Sequence, residues 1–191
     1  MRHLVGIFVA AVAALIQIAP AHADPAPGTL SVDAATSVVT YHLVHKLHKF
    51  DGVSKRVEGK ARLLPDGQAQ VMIRIPVESF DSQNVNRDAH MKEVVESARF
   101  PNIEVKAVGV AGAPASFPAT VDKTFKAEVP FHGVKNTLDV PVKITFESAT
   151  KIRAEAHFSL SLDAFKIERP SLMFVKVDDE LKIDVAVGLT K

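Results

Sequence analysis

The chain has 191 residues, no cysteine, and 23 Lys and Arg residues against 22 Asp and Glu residues, which gives a formal net charge of +1. This near-neutral balance argues against a nucleic-acid partner, which requires a basic face. The absence of cysteine excludes disulfides, thiolate metal sites and a lipoprotein anchor. The length predicts one domain with an ordinary apolar core.

The first 23 residues have the three parts of a secretory signal peptide. A short basic start at residues 1–3 precedes an apolar run at residues 4–19, and residues 21–23 form a small-x-small cleavage site that ends at Ala23. The apolar run is too short to span a membrane comfortably, which favours cleavage over an uncleaved anchor. We therefore expect cleavage after Ala23, and a mature domain of residues 24–191 in the periplasm without a transmembrane anchor.

From Thr29 onward the sequence alternates between apolar and polar residues, as half-buried strands do. Val32 and residues 39–43 predict the first one or two strands, and residues 57–63 and 71–77 predict the next two. Residues 65–67 read as a tight turn, because Pro, Asp and Gly follow one another there. Residues 49–52 are interpreted as another turn.

One helix is predicted between the strand that ends near Val77 and a strand that begins at Ile103. The apolar spacing changes there from two residues to three and four, which is one face of a helix. Asn84 or Asn86 can cap its start, and Phe100-Pro101 is expected to end it, because a residue before proline leaves the α region. The predicted apolar face consists of Met91, Val94, Val95 and Ala98.

The second half of the chain predicts strands at residues 103–110, 125–131, 138–146, 152–162 and 181–189. Together with the earlier segments, about eight strands with one apolar and one polar face describe an antiparallel sandwich or closed barrel. A membrane barrel would need girdles of aromatic residues. Since the chain has no Trp and one Tyr, we expect the apolar face to point inward.

Several residues on the apolar faces are small, and their positions decide what the interior of the barrel contains. Gly59, Gly109 and several alanines lie on the predicted inner face. An eight-stranded barrel is just wide enough to be filled by side chains or to hold one small ligand. The alternation is compatible with a cavity and equally with facing bulky residues that fill the space.

Three short segments, at residues 79–82, 86–91 and 98–103, resemble the central signature of the YceI-like proteins. The resemblance implies an all-β fold, an antiparallel eight-stranded lipocalin-like barrel with one short helix inserted between two strands. It also implies a periplasmic protein that holds a polyisoprenoid or similar lipid along the barrel axis. The signature residues are Asn86, Arg87, Asp88, His90, Met91, Phe100 and Pro101.

With this resemblance, the small inner residues and their neighbours become candidate ligand-binding residues. The implied partner is one long-chain isoprenoid or quinone-like lipid, with no cofactor, and the sequence leaves a homodimer open. The candidate ligand-binding residues are Ala61, Ile73, Ile75, Val105, Ala107, Ala127, Val129, Val142, Ala156 and Phe158.

The polar residues Arg87, Asp88 and His90 have two interpretations. The preferred one is structural, in which Asp88 complements the positive end of the helix and the other two tie the helix to neighbouring strands. The alternative is that the helix covers one mouth of the barrel and the polar group meets the head group of a ligand.

Three histidines, His42, His45 and His48, are separated by offsets of three and six residues. Ligands on one strand face are two residues apart and ligands on one helix face are four apart, so we expect no metal site, but solvated or turn histidines. His45 resembles a histidine that YceI-like proteins often carry near the end of the first long strand. His90 follows Asp88 by two residues, but no nucleophile stands nearby, so no catalytic residue is predicted.

The leading hypothesis is therefore a periplasmic, non-catalytic protein that sequesters or carries an amphiphilic lipid inside its barrel. One alternative is an enzyme that acts on an isoprenoid, using His90 or an early histidine. The other is a stress-related interaction protein whose barrel has a solid core.

Overall fold

The computed structural model describes residues 28–46, 48–112, 114–172 and 174–191, so the predicted signal peptide lies outside the described residues. Most of the described chain is strand, as its alternating sequence predicts. The strands are β1 (Gly28–His45), β2 (His48–Ser54), β3 (Glu58–Leu63), β4 (Gln68–Pro76), β5 (Asn102–Val110), β6 (Ala119–Phe131), β7 (Val134–Ser148), β8 (Lys151–Ser161), β9 (Ser171–Leu172), β10 (Val175–Lys176) and β11 (Glu180–Thr190). The helix α1 (Val85–Val94) lies between β4 and β5, and short 3₁₀ turns occupy Val77–Ser79 and Asp163–Phe165.

The strands close into an antiparallel barrel. The sheet runs in the order β11-β8-β7-β6-β5-β4-β3-β1-β2, and β11 pairs with β1 to complete the circle. Strands β2 and β3 pair with different parts of β1, so together they take one position in an eight-stranded barrel. The short strands β9 and β10 form a separate hairpin. The eight-stranded lipocalin-like barrel with one inserted helix is therefore confirmed.

Strand β1 is long enough to pair with both β3 and β2, in addition to β11. Its first residues, Gly28 to Ser31, pair with β3, whereas Val39 to His45 pair with β2. The register against β11 shifts between Asp33 and Val38, which marks a bulge between the two halves. The predicted one or two initial segments are thus a single strand.

The turn predicted at residues 49–52 is wrong, because these residues lie inside β2. Gly52 stands directly opposite Tyr41 of β1, and a Cβ atom at position 52 would collide with the tyrosine ring. This glycine therefore allows a close approach of an aromatic side chain and does not mark a turn. The turn predicted at residues 65–67 is confirmed, since Gly67 N donates to Leu64 O at 3.0 Å.

Helix α1 begins where Asn84 caps it, but it ends earlier than its sequence predicts. The last helical residue is Val94, so Ala98 lies beyond the helix and Phe100-Pro101 does not end it. Glu96 adopts a positive φ of 50°, and Ser97 N donates to Lys92 O at 2.9 Å. A left-handed residue with a backward hydrogen bond ends a helix regardless of a later proline.

The two ends of the barrel differ. At the end away from α1, the core is closed by buried Leu30, Phe125, Phe146 and Leu189. At the α1 end, the β7–β8 ladder is incomplete, because it starts at Val142, directly after Pro141, and leaves the first part of β7 unpaired with β8. Strands β5 and β6 pair over only three positions, near the middle of β5. Pro141 has no backbone N–H and cannot donate to a ladder. The open end of the barrel is therefore the end that carries α1.

Candidate functional site

Inside the barrel, the described residues enclose two cavities that follow one another along the axis. The outer cavity, of about 550 Å³, lies at the α1 end, and the inner cavity, of about 150 Å³, lies deeper in the barrel. Successive inward positions of the same strands line them: Ile103, Leu160 and Ile183 line the outer cavity, whereas Val105, Phe158 and Val185 line the inner one. Val129 lines both. An outer space of this volume falls within the range of ligand pockets, so the core is not solid.

The wall of the inner cavity contains all ten residues that the sequence identified as candidate ligand-binding residues. Apart from Glu155, this wall is apolar. The two glycines on the predicted inner face do not enlarge the cavity, because neighbouring atoms already occupy the space beside them. A Cβ atom at Gly109 would meet the Phe125 ring, and a Cβ atom at Gly59 would meet the backbone of Met72. The candidate residues placed here are Ala61, Ile73, Ile75, Val105, Ala107, Ala127, Val129, Val142, Ala156 and Phe158.

The larger outer cavity was missed by the sequence reasoning. Part of its wall continues the strand alternation, at Tyr41 and Leu43 in β1, and could have been found by following each inner face to its end. The rest comes from an irregular segment between β8 and β11, which no periodicity places. The residues from that segment and its borders are Leu162, Ile167, Pro170, Ser171, Val177 and Leu181.

Helix α1 forms one wall of the outer cavity. Its Asn84 cap accepts hydrogen bonds from the backbone N–H groups of Asn86 and Arg87, both at 3.1 Å. This cap fixes the first turn, so that Met91, Val94 and Val95 reach the apolar part of the cavity. Of the signature residues, Asn86, Arg87, His90 and Met91 line the outer cavity.

A compact polar cluster holds the start of α1. Buried Ser82 donates its hydroxyl to Asp88 Oδ1 at 2.5 Å and accepts from Arg87 Nε at 2.8 Å, while Arg87 also donates to the Ser82 carbonyl. The Arg87 guanidinium lies over the Phe50 ring of β2, 4.9 Å from its centroid. Arg87 thus ties the helix to a strand, and it also contributes a cation to the cavity wall.

Phe100 and Pro101 do not line the outer cavity, whereas His90 lines it with a side chain that is 59% exposed. His90 is exposed and lies 3.8 Å from Glu93. Phe100 packs against Gly133 and the edge of His132, whose ring centroid is 5.8 Å away, and the Pro101 carbonyl accepts from Val77 N at 2.9 Å. The last two signature residues therefore anchor the chain between α1 and β5.

Tyr41 places a hydroxyl in the lining of the outer cavity. Burial, reinforced by the Asp88 carboxylate, raises the pKa of Tyr41, although the Arg87 cation opposes the change. The phenol consequently remains protonated around neutral pH. A protonated phenol can donate a hydrogen bond to an oxygen of a bound molecule.

The three early histidines have three different environments, which corrects the expectation that all are solvated or lie in turns. His45 is buried, lines the outer cavity, and donates Nε2–H to the Val175 carbonyl at 3.0 Å. The His48 ring is exposed and stacks on that of His45 at 6.5 Å. Within the residues that the structure describes, no group of three or more His, Asp or Glu side chains is arranged to hold a metal ion.

His42 lies on the outside of the barrel in a charged network. Its Nδ1 is 2.7 Å from Asp51, its Nε2 is 3.0 Å from Asp184, and the other Asp184 oxygen is 2.7 Å from His157 Nδ1. Hydrogen bonding to Asp51, followed by that to Asp184, raises the pKa of His42 against the opposing effect of burial. The hydrogen bond from His157 lowers the pKa of Asp184, with His42 adding to it.

Comparison with known proteins relates this geometry to one family. The model of the YceI-like domain family matches residues 30–189, which is most of the chain. No curated protein matches the sequence. Within the described ranges, no helix has both the length and the apolarity that a membrane crossing requires.

Solved structures with the same fold have low sequence identity. A polyisoprenoid-binding domain from Saccharophagus degradans, implicated in plant cell wall breakdown, is 16% identical, with a TM-score of 0.70 over 84% of this chain and 97% of that one. BcnA of Burkholderia cenocepacia is 20% identical, with a TM-score of 0.65 over 82% and 98%. The Campylobacter jejuni YceI protein is 12% identical, with a TM-score of 0.56 over 73% and 84%. At these identities the likeness shows the fold.

Proposed function

The chain belongs to the family of YceI-like domains, and on that premise we propose that it is a non-catalytic binding protein for one long-chain amphiphilic lipid, isoprenoid or quinone-like. The apolar tail lies along the barrel axis, through the outer cavity and into the inner one. The observation that carries this proposal is the outer cavity of about 550 Å³, whose wall is mostly apolar and includes a few polar side chains, among them Tyr41, Asn86 and Arg87. The binding of a polyisoprenoid by the Saccharophagus degradans domain supports the same ligand class.

The polar groups of the outer cavity suggest how a head group is held. Asn86, Arg87 and Tyr41 line one part of the cavity, and each offers hydrogen-bond donors. Arg87 is already oriented by Ser82, so a ligand oxygen would meet a preformed donor. A neutral quinone oxygen and an anionic phosphate both suit such donors, and the experiment below distinguishes them.

We also propose that the protein acts in the periplasm after cleavage of residues 1–23. An enzymatic function would need a reacting group, and His90, the candidate base, is exposed and contacts Glu93. An interaction protein with a solid core would leave the cavity volume unexplained. The binding function therefore accounts for more of the observed geometry than either alternative.

Native mass spectrometry of the protein purified from its own cells, without detergent, tests these proposals together. We expect a mature chain that begins at Asp24 and that carries one lipid, which organic extraction then releases for identification of its chain length and head group. A chain that retains Met1 would contradict the periplasmic assignment. A protein that is lipid-free, and that also fails to take up a fluorescent long-chain prenol, would contradict the binding function.

A further inference from the structure

The two most exposed of the large apolar side chains lie on the segments that surround the mouth of the outer cavity. Among the described residues, five large apolar side chains are exposed, and Phe174 at 104% and Val85 at 82% exceed all others. Single exposed apolar residues are ordinary. Two that flank one opening, on different elements, require a common explanation.

Phe174 stands at the tip of the hairpin formed by β9 and β10. Residues at the base of this hairpin, Pro170, Ser171 and Val177, line the outer cavity. The hairpin is fixed to the end of β1, since His45 donates to the Val175 carbonyl at 3.0 Å and Asp178 N donates to Val44 O at 2.8 Å. Phe174 is therefore held beside the mouth with its whole side chain in water.

Val85 is the first residue of α1, and its two neighbours Asn84 and Asn86 both line the outer cavity. Arg87, in the same turn, lies over Phe50, and the Phe50 ring contacts His48 at 6.0 Å. The start of α1, the start of β2 and the β9–β10 hairpin thus form one continuous border, which we call the rim. Phe174 and Val85 are its protruding apolar points.

The rim carries exposed charges of both signs, and among them are three lysines that lie close to its apolar points. Lys46, Lys49 and Lys176 are exposed, and none forms an ion pair within the residues that the structure describes. The exposed carboxylates nearest to the hairpin in sequence are Glu168 and Asp178. Lysines beside apolar protrusions match a surface that presents anionic groups over an apolar interior.

We propose that the rim is a membrane-docking surface, on which Phe174 and Val85 enter the interface of a bilayer that contains anionic phospholipid, while Lys46, Lys49 and Lys176 face its head groups. The proposal rests on the proposed function, because a long-chain lipid is stored in a bilayer and must pass from it into the cavity. Docking at the rim brings the mouth against the bilayer, so the tail moves from one apolar phase to another. Two isolated protrusions suit a fluid interface better than a protein partner, which needs a larger contiguous contact.

Vesicle co-sedimentation of the mature chain tests this docking directly. The probe is a vesicle of phosphatidylethanolamine with phosphatidylglycerol as the minor anionic lipid, and vesicles of phosphatidylcholine alone are the uncharged comparison. The variants are Phe174→Ser, Val85→Ser and the double change Lys46→Glu with Lys49→Glu. Val110→Ser is the matched control, because Val110 is an exposed valine at the end of β5 that lies away from α1 and the rim.

We expect the wild type to bind the anionic vesicles, more weakly as salt is raised. Phe174→Ser should lower this binding about tenfold, Val85→Ser and the lysine double variant should lower it severalfold, and Val110→Ser should leave it unchanged. A wild type that does not sediment with anionic vesicles would overturn the proposal. An equal loss for Val110→Ser and Phe174→Ser would also overturn it.

Uptake of a fluorescent prenol from solution, measured on the same proteins, separates docking from ligand binding. Phe174 and Val85 do not line the cavity, so both variants should take up the probe as the wild type does. If no protein takes up the probe, the proposed function fails, and the vesicle assay still decides the docking proposal. If uptake is normal but vesicle binding is absent, only the docking proposal fails.

Discussion

Ser82 connects two charged side chains at the entrance to α1. Its hydroxyl group donates to Asp88 and accepts from Arg87, and its own N–H also donates to Asp88 at 3.1 Å. Because only 5% of the Ser82 surface is exposed, its polar atoms require these hydrogen-bond partners. The two interpretations of the polar signature are therefore compatible: Asp88 is structural, whereas Arg87 is structural and also lines the cavity.

The network around His42 and Asp184 makes stability depend on pH in both directions. The pKa of His42 is raised above its ordinary value of 6.5, so its stabilisation is complete below that pH and is lost as pH rises through the folded pKa. The pKa of Asp184 is lowered below 3.8, so its stabilisation is present above that pH and is lost as pH falls through the folded pKa. We expect the network to stabilise the fold most between these two limits.

Asp184→Asn should reveal this window in the free energy of unfolding. The variant should lose about 0.2–1 kcal/mol of unfolding free energy near pH 6, because the side chains of His42 and Asp184 are partly exposed. This loss should become smaller above the folded pKa of His42. Urea melts at several pH values measure it. Asp139→Asn is the control, because Asp139 pairs with Lys126 at 2.9 Å on the surface and no histidine is involved. A loss for Asp184→Asn that does not change with pH would contradict the linkage.

At the scale of elements, the sequence predicts the helix and its start, but not the residue at which it ends. Val85 to Val94 form the helix because Asn84 is a strong cap, and Met91 and Val94 turn inward as their spacing predicts. The end of the helix depends on the positive φ of Glu96, a residue type with no preference for that conformation. No rule of composition could therefore place it.

The strands were predicted well where the alternation is long, and less well where one residue type has two possible roles. Long alternating runs such as β7 and β8 follow directly from their period of two. Gly52 was misread because a glycine that marks a turn and a glycine that accepts an aromatic ring have the same sequence appearance. The outer cavity was missed because the segment between β8 and β11 is placed by tertiary contacts, such as the hydrogen bond from Asp178 N to the Val44 carbonyl at 2.8 Å.

The capping of α1 supplies a prediction at this scale. Asn84→Ala removes the acceptor for two backbone N–H groups and should lower the free energy of unfolding by about 0.5–2 kcal/mol. Asn84→Asp retains an acceptor and should stay close to the wild type. Chemical denaturation of the three proteins provides the comparison. If the alanine variant melts like the wild type, the cap does not hold the helix against the barrel.

At the scale of the whole molecule, the barrel is closed at one end and incompletely paired at the other. The β7–β8 ladder stops at Val142, so these two strands are not paired beside the outer cavity, whereas Val142 and Ala156, which line the inner cavity, are still paired. A ligand that enters at the rim would therefore meet a wide apolar space first and a narrow one second. Short and long tails should then differ in how much of the barrel they contact.

Ala156→Phe tests this difference, because Ala156 lines the inner cavity between Val142 and Val185. A space of about 150 Å³ accepts a benzene-sized group, so the ring should fill it at less than the roughly 1–3 kcal/mol that overpacking costs in a solid core. The affinity for a long-chain prenol should fall at least about tenfold, because each methylene that no longer enters gives up about 0.8 kcal/mol. A short-chain prenol that fits in the outer cavity should bind as it does to the wild type.

Ala34→Phe is the matched control, since Ala34 is exposed on β1 and lines neither cavity, and it should change neither affinity. Fluorescence titration with the two prenols and urea melts supply the measurements. Ala127→Phe should repeat the Ala156→Phe pattern, because Ala127 lines the same cavity from β6, two strands away from Ala156. A severe loss of stability with both affinities unchanged would mean that the inner space is not used by the tail. Equal losses for the short and the long prenol would mean that the tail enters the narrow cavity first, which would reverse the order of the two cavities along the path of the ligand.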